Sequence, residues 1–185
     1  MKRKIGNLFF VDTFLLLLIT VLALINPPME DGKITPKAEG MLTVEWSDKE
    51  KSDIDTWILA PNGDKLWFGA KDHGHMILHR DDLGITNDKI RFGTNELQIE
   101  QNIEVIDFVK FLDGEYIVNI QDYRHRDKEP VIVEVKLIIL EPFATIAYET
   151  AEFEFTGQEK TLFSFTVEEG VVVKVNTNAR AKLTR

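Results

Sequence analysis

The sequence predicts a single N-terminal transmembrane α-helix followed by an all-β domain, a β-sandwich. Two observations predict this fold class. A run of 18 residues near the N-terminus, Leu8–Ile25, is almost entirely apolar, which is typical of a membrane-spanning helix. From Met41 onward, apolar and polar residues mostly alternate and no segment has convincing helical periodicity, which predicts strands. A chain of 185 residues has room for one such domain and a short appendage.

Composition divides the chain into four segments. We expect a stub at residues 1–7, the transmembrane helix at residues 8–26, a linker rich in proline and glycine at residues 27–40, and the β-sandwich domain at residues 41–185. As a helix the apolar run would rise about 27 Å, close to the hydrocarbon thickness of about 30 Å. Basic residues precede it and acidic residues follow it, so the positive-inside rule places the stub in the cytoplasm and the β-domain outside. A cleaved signal peptide is the alternative, but the run is longer than a usual signal sequence and no small-residue cleavage site follows it.

Charge and cysteine content exclude several classes of protein. The formal net charge of −9 disfavours a nucleic-acid partner, because such binding depends on cationic side chains that neutralise phosphates. The absence of cysteine excludes disulfides, thiolate nucleophiles and cysteine-ligated metals. No Ser/His/Asp arrangement, phosphate loop or supported carboxylate pair is present in the sequence, so we do not expect an enzyme.

Asp12 is the unusual residue of the apolar run. A carboxylate inside a membrane costs about 2.5–3.5 kcal/mol on insertion scales, so it marks either a functional site or an acid that reaches back to the interface. At 100° per residue, Thr13, Leu16, Thr20 and Ala23 fall within one sector with Asp12, while Leu, Ile, Val and Phe occupy the opposite side. This arrangement suits a helix that faces other protein.

The stretch Phe10–Ile19, with the sequence FVDTFLLLLI, follows a basic stub and precedes the β-domain, and it resembles the transmembrane helix of the ExbD/TolR/MotB family. That resemblance implies a B-type subunit, the stator or rotor axle, of a motor in the bacterial inner membrane. It implies a homodimer inside a pentameric ring of polytopic ExbB/TolQ/MotA-like subunits, with Asp12 carrying H⁺ or Na⁺ and no other cofactor. Thr13 and Thr20 would support the ion path, or would bond back to their own helix.

The predicted function follows from this resemblance. Ion flow through Asp12 would move a periplasmic β-sandwich that acts on an unknown periplasmic or cell-wall target. The alternative is a membrane-tethered periplasmic binding or adhesion domain whose helix is only an anchor. The β-rich pattern departs from the motor family, whose periplasmic domains are usually α+β.

Eleven segments of the β-domain carry the strand pattern: MLTVEWS, DTWILAP, DKLWFGA, HMILHRD, KIRFG, ELQIEQNIEVIDFV, GEYIVNIQDY, PVIVEVKLIILEP, ATIAYETAEFEF, KTLFSFTVEE and GVVVKVN. About ten strands in this length favour a sandwich. Turn residues at Pro61–Asp64, Asp113–Gly114 and Glu169–Gly170 predict three hairpins. The polar stretch Tyr123–Asp127 predicts another hairpin tip, which could also bind a partner.

Two clusters could ligate a metal. The segment Asp53–Gly63, followed by the DDLG sequence at residues 81–84, resembles a bacterial β-sandwich family of unknown function, although Thr56 replaces the usual leucine. Asp53, Asp55 and Asp81 offer the oxygen ligands that calcium prefers, although an acidic turn is more often only solvated. His73, His75 and His79 would share one face of a strand and suit zinc, but Gly74 favours a loop. The sequence prediction therefore includes no bound metal.

Overall fold

A computed structural model of the chain describes residues 12–18, 20–21, 38–84, 89–98 and 101–184, apart from the side chains of Ile90 and Gln98. The chain divides into two compact units, Met1–Thr35 and Pro36–Arg185.

The N-terminal unit contains helical residues at 12–18 and 20–21. Among the described residues, no helix combines the length and the apolar character needed to cross a membrane. This finding contradicts the transmembrane helix predicted at residues 8–26, and with it the membrane-protein class and the single-pass inner-membrane localisation. Residues 8–11, 19 and 22–26 of that prediction lie outside the described residues.

The second unit is built from β-strands, because its apolar residues recur with a period of two and turn residues separate the runs. In chain order the described strands are β1 (Gly40–Trp46), β2 (Asp53–Leu59), β3 (Lys65–Leu66), β4 (Met76–Arg80), β5 (Lys89–Phe92), β6 (Asn95–Gln98), β7 (Ile103–Phe108), β8 (Gly114–Arg124), β9 (Val131–Leu140), β10 (Phe143–Phe153), β11 (Glu159–Glu168) and β12 (Val171–Asn176).

The strands form two five-stranded antiparallel sheets and a separate hairpin. The first sheet has the order β10-β9-β1-β7-β4, the second sheet has the order β12-β11-β8-β2-β3, and β5 pairs with β6. One hydrophobic core joins the two sheets, which gives a β-sandwich. Alternate side chains of both sheets fill it; among the fully buried ones are Leu42, Ile54, Ile58, Ile106, Phe108, Tyr116, Ile120, Phe153, Phe163 and Phe165.

Three details of strand pairing differ from the sequence prediction. The segment ELQIEQNIEVIDFV forms two strands, β6 and β7, in different sheets. Strands β7 and β8 also lie in different sheets, so Asp113–Gly114 belongs to a crossover and not to a hairpin. The same holds for Tyr123–Asp127 between β8 and β9. Local turn residues signal where the chain bends, but the partner of each strand is set by the core.

Candidate metal centre

Three carboxyl groups from three different elements meet at one edge of the sandwich. Asp55 lies on β2, Asp81 follows β4, and Glu104 lies on β7. One oxygen from each carboxyl group can be chosen so that the three oxygens all lie within 4.8 Å of one another. In the part of the chain that the structure describes, this is the one group of acidic or histidine side chains with such spacing. We call it the acidic centre.

Strand pairing explains how Glu104 reaches β2 from the opposite sheet. Side chains alternate along β7, so Glu104 projects to the same face as the buried Ile106 and Phe108, between the sheets. On β2, β3 pairs only with Ile58 and Leu59, and the preceding backbone has no strand partner on that side. The amide nitrogen of Thr56 donates a hydrogen bond to Oε2 of Glu104 at 2.9 Å. The carboxylate thus replaces a missing strand partner.

A tight turn after β4 places Asp81 beside β2. The carboxyl group of Asp82 accepts hydrogen bonds from the Gly84 amide at 3.0 Å and from the Arg80 guanidinium at 2.8 Å. Gly84 has φ +60°, and a Cβ there would lie 2.5 Å from the Lys51 carbonyl oxygen. Only glycine fits this turn, because both its dihedral angle and the close backbone exclude a side chain.

Asp55 and Glu104 are buried, and neither forms an ion pair with a described Lys or Arg. Asp55 is 2% exposed and Glu104 is 0% exposed. Oδ2 of Asp55 and Oε1 of Glu104 have no hydrogen-bond partner among the described residues, and no Lys or Arg described lies within ion-pair distance of either group. Asp81 differs, since Lys71 forms an ion pair with its Oδ2 at 2.7 Å. Buried carboxylates in this state are costly unless a cation or a proton neutralises them.

The pKa directions agree with this geometry. Burial, reinforced by the neighbouring charges of Asp53 and Asp81 and only partly opposed by Lys71, raises the pKa of Asp55 to about 8. Burial raises the pKa of Glu104 well above its usual value, and the Thr56 hydrogen bond only partly opposes this effect. In the absence of a cation, the Asp55 carboxyl group therefore holds a proton at neutral pH.

Two further acids border the acidic centre, and each has a cationic neighbour. Asp82 is bound by Arg80. Oδ2 of Asp53 lies 3.9 Å from the Arg126 guanidinium, and burial raises the pKa of Asp53 to about 6 in spite of that cation. Asp55 and Glu104 form no ion pair with a described cation, and Lys71 acts on Asp55 only from its ion pair with Asp81.

The donor set suits a hard divalent cation. Carboxylate oxygens are the preferred ligands of Ca²⁺ and Mg²⁺, whereas zinc and copper sites usually include nitrogen or sulfur. Two oxygens on opposite sides of Ca²⁺ are about 4.8 Å apart, and the corresponding separation for Mg²⁺ is about 4.2 Å. Oxygens within 4.8 Å of one another can therefore contact one cation of either kind.

The sequence identified part of this site. It named Asp53, Asp55 and Asp81 as possible calcium ligands, and the structure brings Asp55 and Asp81 together, whereas Asp53 lies beside Arg126. It missed Glu104. Residues 103–108 read IEVIDF, in which either set of alternating side chains could face the core, so the pattern does not show that Glu104 points inward.

The histidine cluster is divided. The Nδ1 atoms of His73 and His75 lie 3.7 and 3.8 Å from the carboxylate of Asp64. His79 lies elsewhere, with Nε2 2.8 Å from Oδ2 of Asp107. The three histidines therefore do not converge on one zinc ion as the strand interpretation required.

The remaining candidate residues have structural contacts or belong to the other unit. Asp12, Thr13 and Thr20 lie in the N-terminal unit, where their side chains are exposed, and Thr20 donates its hydroxyl hydrogen to the Leu16 carbonyl at 2.8 Å. Within the Tyr123–Asp127 stretch, Asp127 accepts hydrogen bonds from the Ser52 amide and hydroxyl at 3.0 and 2.7 Å. That loop is thus tied to the chain just before β2.

Comparison of the chain with known protein families, with curated proteins and with solved structures gives no match. Nothing in these comparisons identifies an ExbD/TolR/MotB-type protein, and that resemblance stays a prediction from the N-terminal residues.

Proposed function

We propose that the β-sandwich is a calcium-binding module in which Asp55, Asp81 and Glu104 hold the ion. The observation that carries this proposal is the pair of buried carboxyl groups, Asp55 and Glu104, that meet without an ion pair of their own to a described cation. A divalent cation would neutralise them and supply the missing partner of their free oxygens. The remaining coordination positions would be filled by backbone carbonyls or water.

The ion would act as a structural tie. Its three protein ligands come from β2 in the second sheet and from β7 and the end of β4 in the first sheet. Strand β3 extends this edge by only two residues, so few ladder hydrogen bonds hold β2 on that side. Binding in the folded state alone would stabilise the domain by mass action. We therefore assign the domain a binding role and not a catalytic one.

The motor function has no support from the described structure. It needs a membrane-spanning helix around Asp12, and the described residues contain none.

The calcium proposal has one competing explanation. In that explanation the carboxyl groups of the acidic centre share protons and bind no metal.

Terbium luminescence tests the proposal. Tb³⁺ occupies oxygen-rich calcium sites and emits when a nearby indole transfers its excitation energy. Trp57 lies two residues from Asp55 on β2, about 7 Å along the strand. We expect sensitised emission from the chelator-treated protein, displaced by Ca²⁺ more readily than by Mg²⁺.

Matched variants locate the site. Glu104→Gln and Asp81→Asn should each weaken Tb³⁺ binding. Asp81→Asn should disturb the fold less than Glu104→Gln, because Asp81 lies in a loop. Glu115→Gln is the control, since Glu115 is an exposed glutamate on β8. Emission that Ca²⁺ fails to displace, or that persists unchanged in both Glu104→Gln and Asp81→Asn, would favour the proton-sharing explanation.

A further inference from the structure

A second site lies on the outer face of the second sheet. A pocket of about 480 Å³ is lined by four aromatic side chains, together with polar ones; the lining includes Trp57, Trp67, Phe68, Tyr123, Lys65 and Gln121. We call it the aromatic pocket. Its volume falls within the range of about 300–1,000 Å³ that is typical of small-molecule sites.

The aromatic pocket and the acidic centre use different side chains at neighbouring positions of the second sheet. Asp55 and Trp57 project to the same face of β2, because side chains two residues apart do so. Gln121 on β8 lies directly opposite Asp55 in the antiparallel ladder. Gln121 lines the pocket, and Asp55 belongs to the acidic centre.

The aromatic rings form a compact angular wall. Trp57 and Trp67 stack with centroids 4.9 Å apart and planes inclined by 11°. Phe68 stands at 85° to Trp57 and at 74° to Trp67, and its centroid is 5.4 Å from that of Tyr123. Tyr123 is 49% exposed, which is high for a ring in an aromatic cluster. An angular wall of this kind suits a compact ring-shaped ligand better than an extended proline-rich peptide, which needs an elongated groove.

Two polar side chains of the pocket have fixed orientations. Oε1 of Gln121 accepts a hydrogen bond from Nε1 of Trp57 at 3.1 Å, so the amide NH₂ group of Gln121 is the end that points away from the indole. The ammonium of Lys65 donates to the Leu183 carbonyl at 2.8 Å and lies 5.9 Å from the Trp57 ring centroid. Fixed donors beside apolar walls are the arrangement that orients a small polar ligand.

Charge narrows the chemical class of the ligand. The described lining contains no carboxylate and carries the ammonium of Lys65, which disfavours a cationic ligand. The chain carries a formal net charge of −9, which repels polyanions. A neutral ligand with apolar ring faces and hydroxyl groups at its edge satisfies both the aromatic wall and the donors.

We propose that the aromatic pocket binds a neutral pyranose sugar. The C–H face of the sugar ring would pack on Tyr123 and Phe68, and its hydroxyl groups would accept from Gln121 and Lys65. This site rests on its own residues and does not depend on the calcium proposal, so either proposal can fail without the other.

The test is titration of the purified full chain with cellotetraose, maltotetraose, mannotetraose and chitotetraose, followed by tryptophan fluorescence and calorimetry, both with chelator and with Ca²⁺. At least one sugar is expected to bind. Tyr123→Ala should then weaken binding about tenfold, the effect of losing one aromatic contact, while Tyr123→Phe should keep most of the affinity.

Tyr148→Ala is the matched control. The exposed fraction of Tyr148, 52%, is similar to the 49% of Tyr123. Tyr148 lies on β10 in the first sheet, away from the aromatic pocket. Its removal should leave sugar binding unchanged. The proposal is overturned if no sugar of the panel binds at millimolar concentration, if Tyr123→Ala binds as tightly as the unaltered chain, or if a decaproline peptide binds in place of the sugars.

Discussion

Asp55 is a carboxylic acid in an environment that suits a neutral side chain when no cation is present. It is 2% exposed, and its Oδ2 has no described hydrogen-bond partner. We expect Asp55→Asn to have effects of opposite sign in two solutions. In chelator at neutral pH the variant should be more stable than the unaltered chain by about 1–3 kcal/mol, because folding no longer requires the protonation of a carboxyl group that is ionised in the unfolded chain. In Ca²⁺ the variant should lose the stabilisation that the ion provides.

Urea unfolding of both proteins, with and without Ca²⁺, measures these four free energies of unfolding. For the unaltered chain, Ca²⁺ at a hundred times its dissociation constant should add about 2.7 kcal/mol. If Asp55→Asn destabilises the protein equally in both solutions, Asp55 makes an ordinary structural contact and is not a ligand.

The raised pKa of Asp55 also predicts how stability depends on pH. A carboxyl group whose pKa is higher in the folded state stabilises the protein fully below the unfolded pKa of about 3.9, and this contribution is lost as pH rises through the folded value. For Asp55 the folded value is about 8. In chelator, the free energy of unfolding should therefore fall between about pH 5 and pH 8.

The same pH series on Asp55→Asn isolates this contribution from the other titrating groups. Its stability should fall less steeply over the same range. In Ca²⁺, the decline of the unaltered chain should flatten, because the ion replaces the protons of the acidic centre. Identical slopes for the two proteins in chelator would contradict the assignment.

At the scale of elements, the turn after β4 determines where Asp81 lies. Gly84 has φ +60°, and a Cβ there would lie 2.5 and 2.6 Å from two backbone oxygens. Gly84→Ala should cost about 2–4 kcal/mol, since a strained dihedral angle and a steric clash add together. It should also weaken calcium binding.

Gly157→Ala is the control for backbone strain. Gly157 has φ +84°, but nothing lies within 4 Å of its added Cβ. Its cost should be about 1 kcal/mol, and calcium binding should not change. Equal costs for the two variants, measured by urea unfolding, would show that the packing of the turn against residues 51–52 is unimportant.

The elements also show what the sequence could predict. Alternation of apolar and polar residues locates strands such as β1 and β9, because a buried face leaves a period-two pattern. The predicted turn at Glu169–Gly170 is also present: it joins β11 to β12, with φ +53° at Glu169 and +74° at Gly170. The turn residues Asp113–Gly114 predict a hairpin, but in the structure they belong to a crossover between the sheets. Local turn chemistry does not specify which sheet a strand joins. The Asp55–Asp81 proximity could be anticipated, but the inward orientation of Glu104 could not.

At the scale of the whole molecule, one aromatic cluster joins the two sheets. Phe108 on β7 stacks on Phe111 with ring centroids 5.0 Å apart, and it meets Tyr116 and Phe165 of the second sheet edge to face. Phe108→Ala should cost about 3–5 kcal/mol, because a large buried ring leaves a cavity between the sheets. Phe143→Ala, at an aromatic side chain that is 73% exposed, should cost less than about 0.5 kcal/mol. Similar urea midpoints for the two variants would contradict this description of the core.

The N-terminal prediction was wrong for a different reason. Hydropathy of residues 8–26 measures composition, and an apolar composition is necessary but not sufficient for a continuous spanning helix. Among the described residues, no helix is both long and apolar enough to cross a membrane. The β-unit is less sensitive to this kind of error, because many long-range strand pairs must agree before its sheets form.

Calorimetric titration of Ca²⁺ into the chelator-treated full chain tests the central claim most directly. The acidic centre predicts one ion bound per chain, with weaker binding of Mg²⁺, and loss of the binding heat in Glu104→Gln but not in Glu115→Gln. Absence of any Ca²⁺ binding by a folded protein would contradict the account and leave Asp55 and Glu104 as proton-sharing acids of the core.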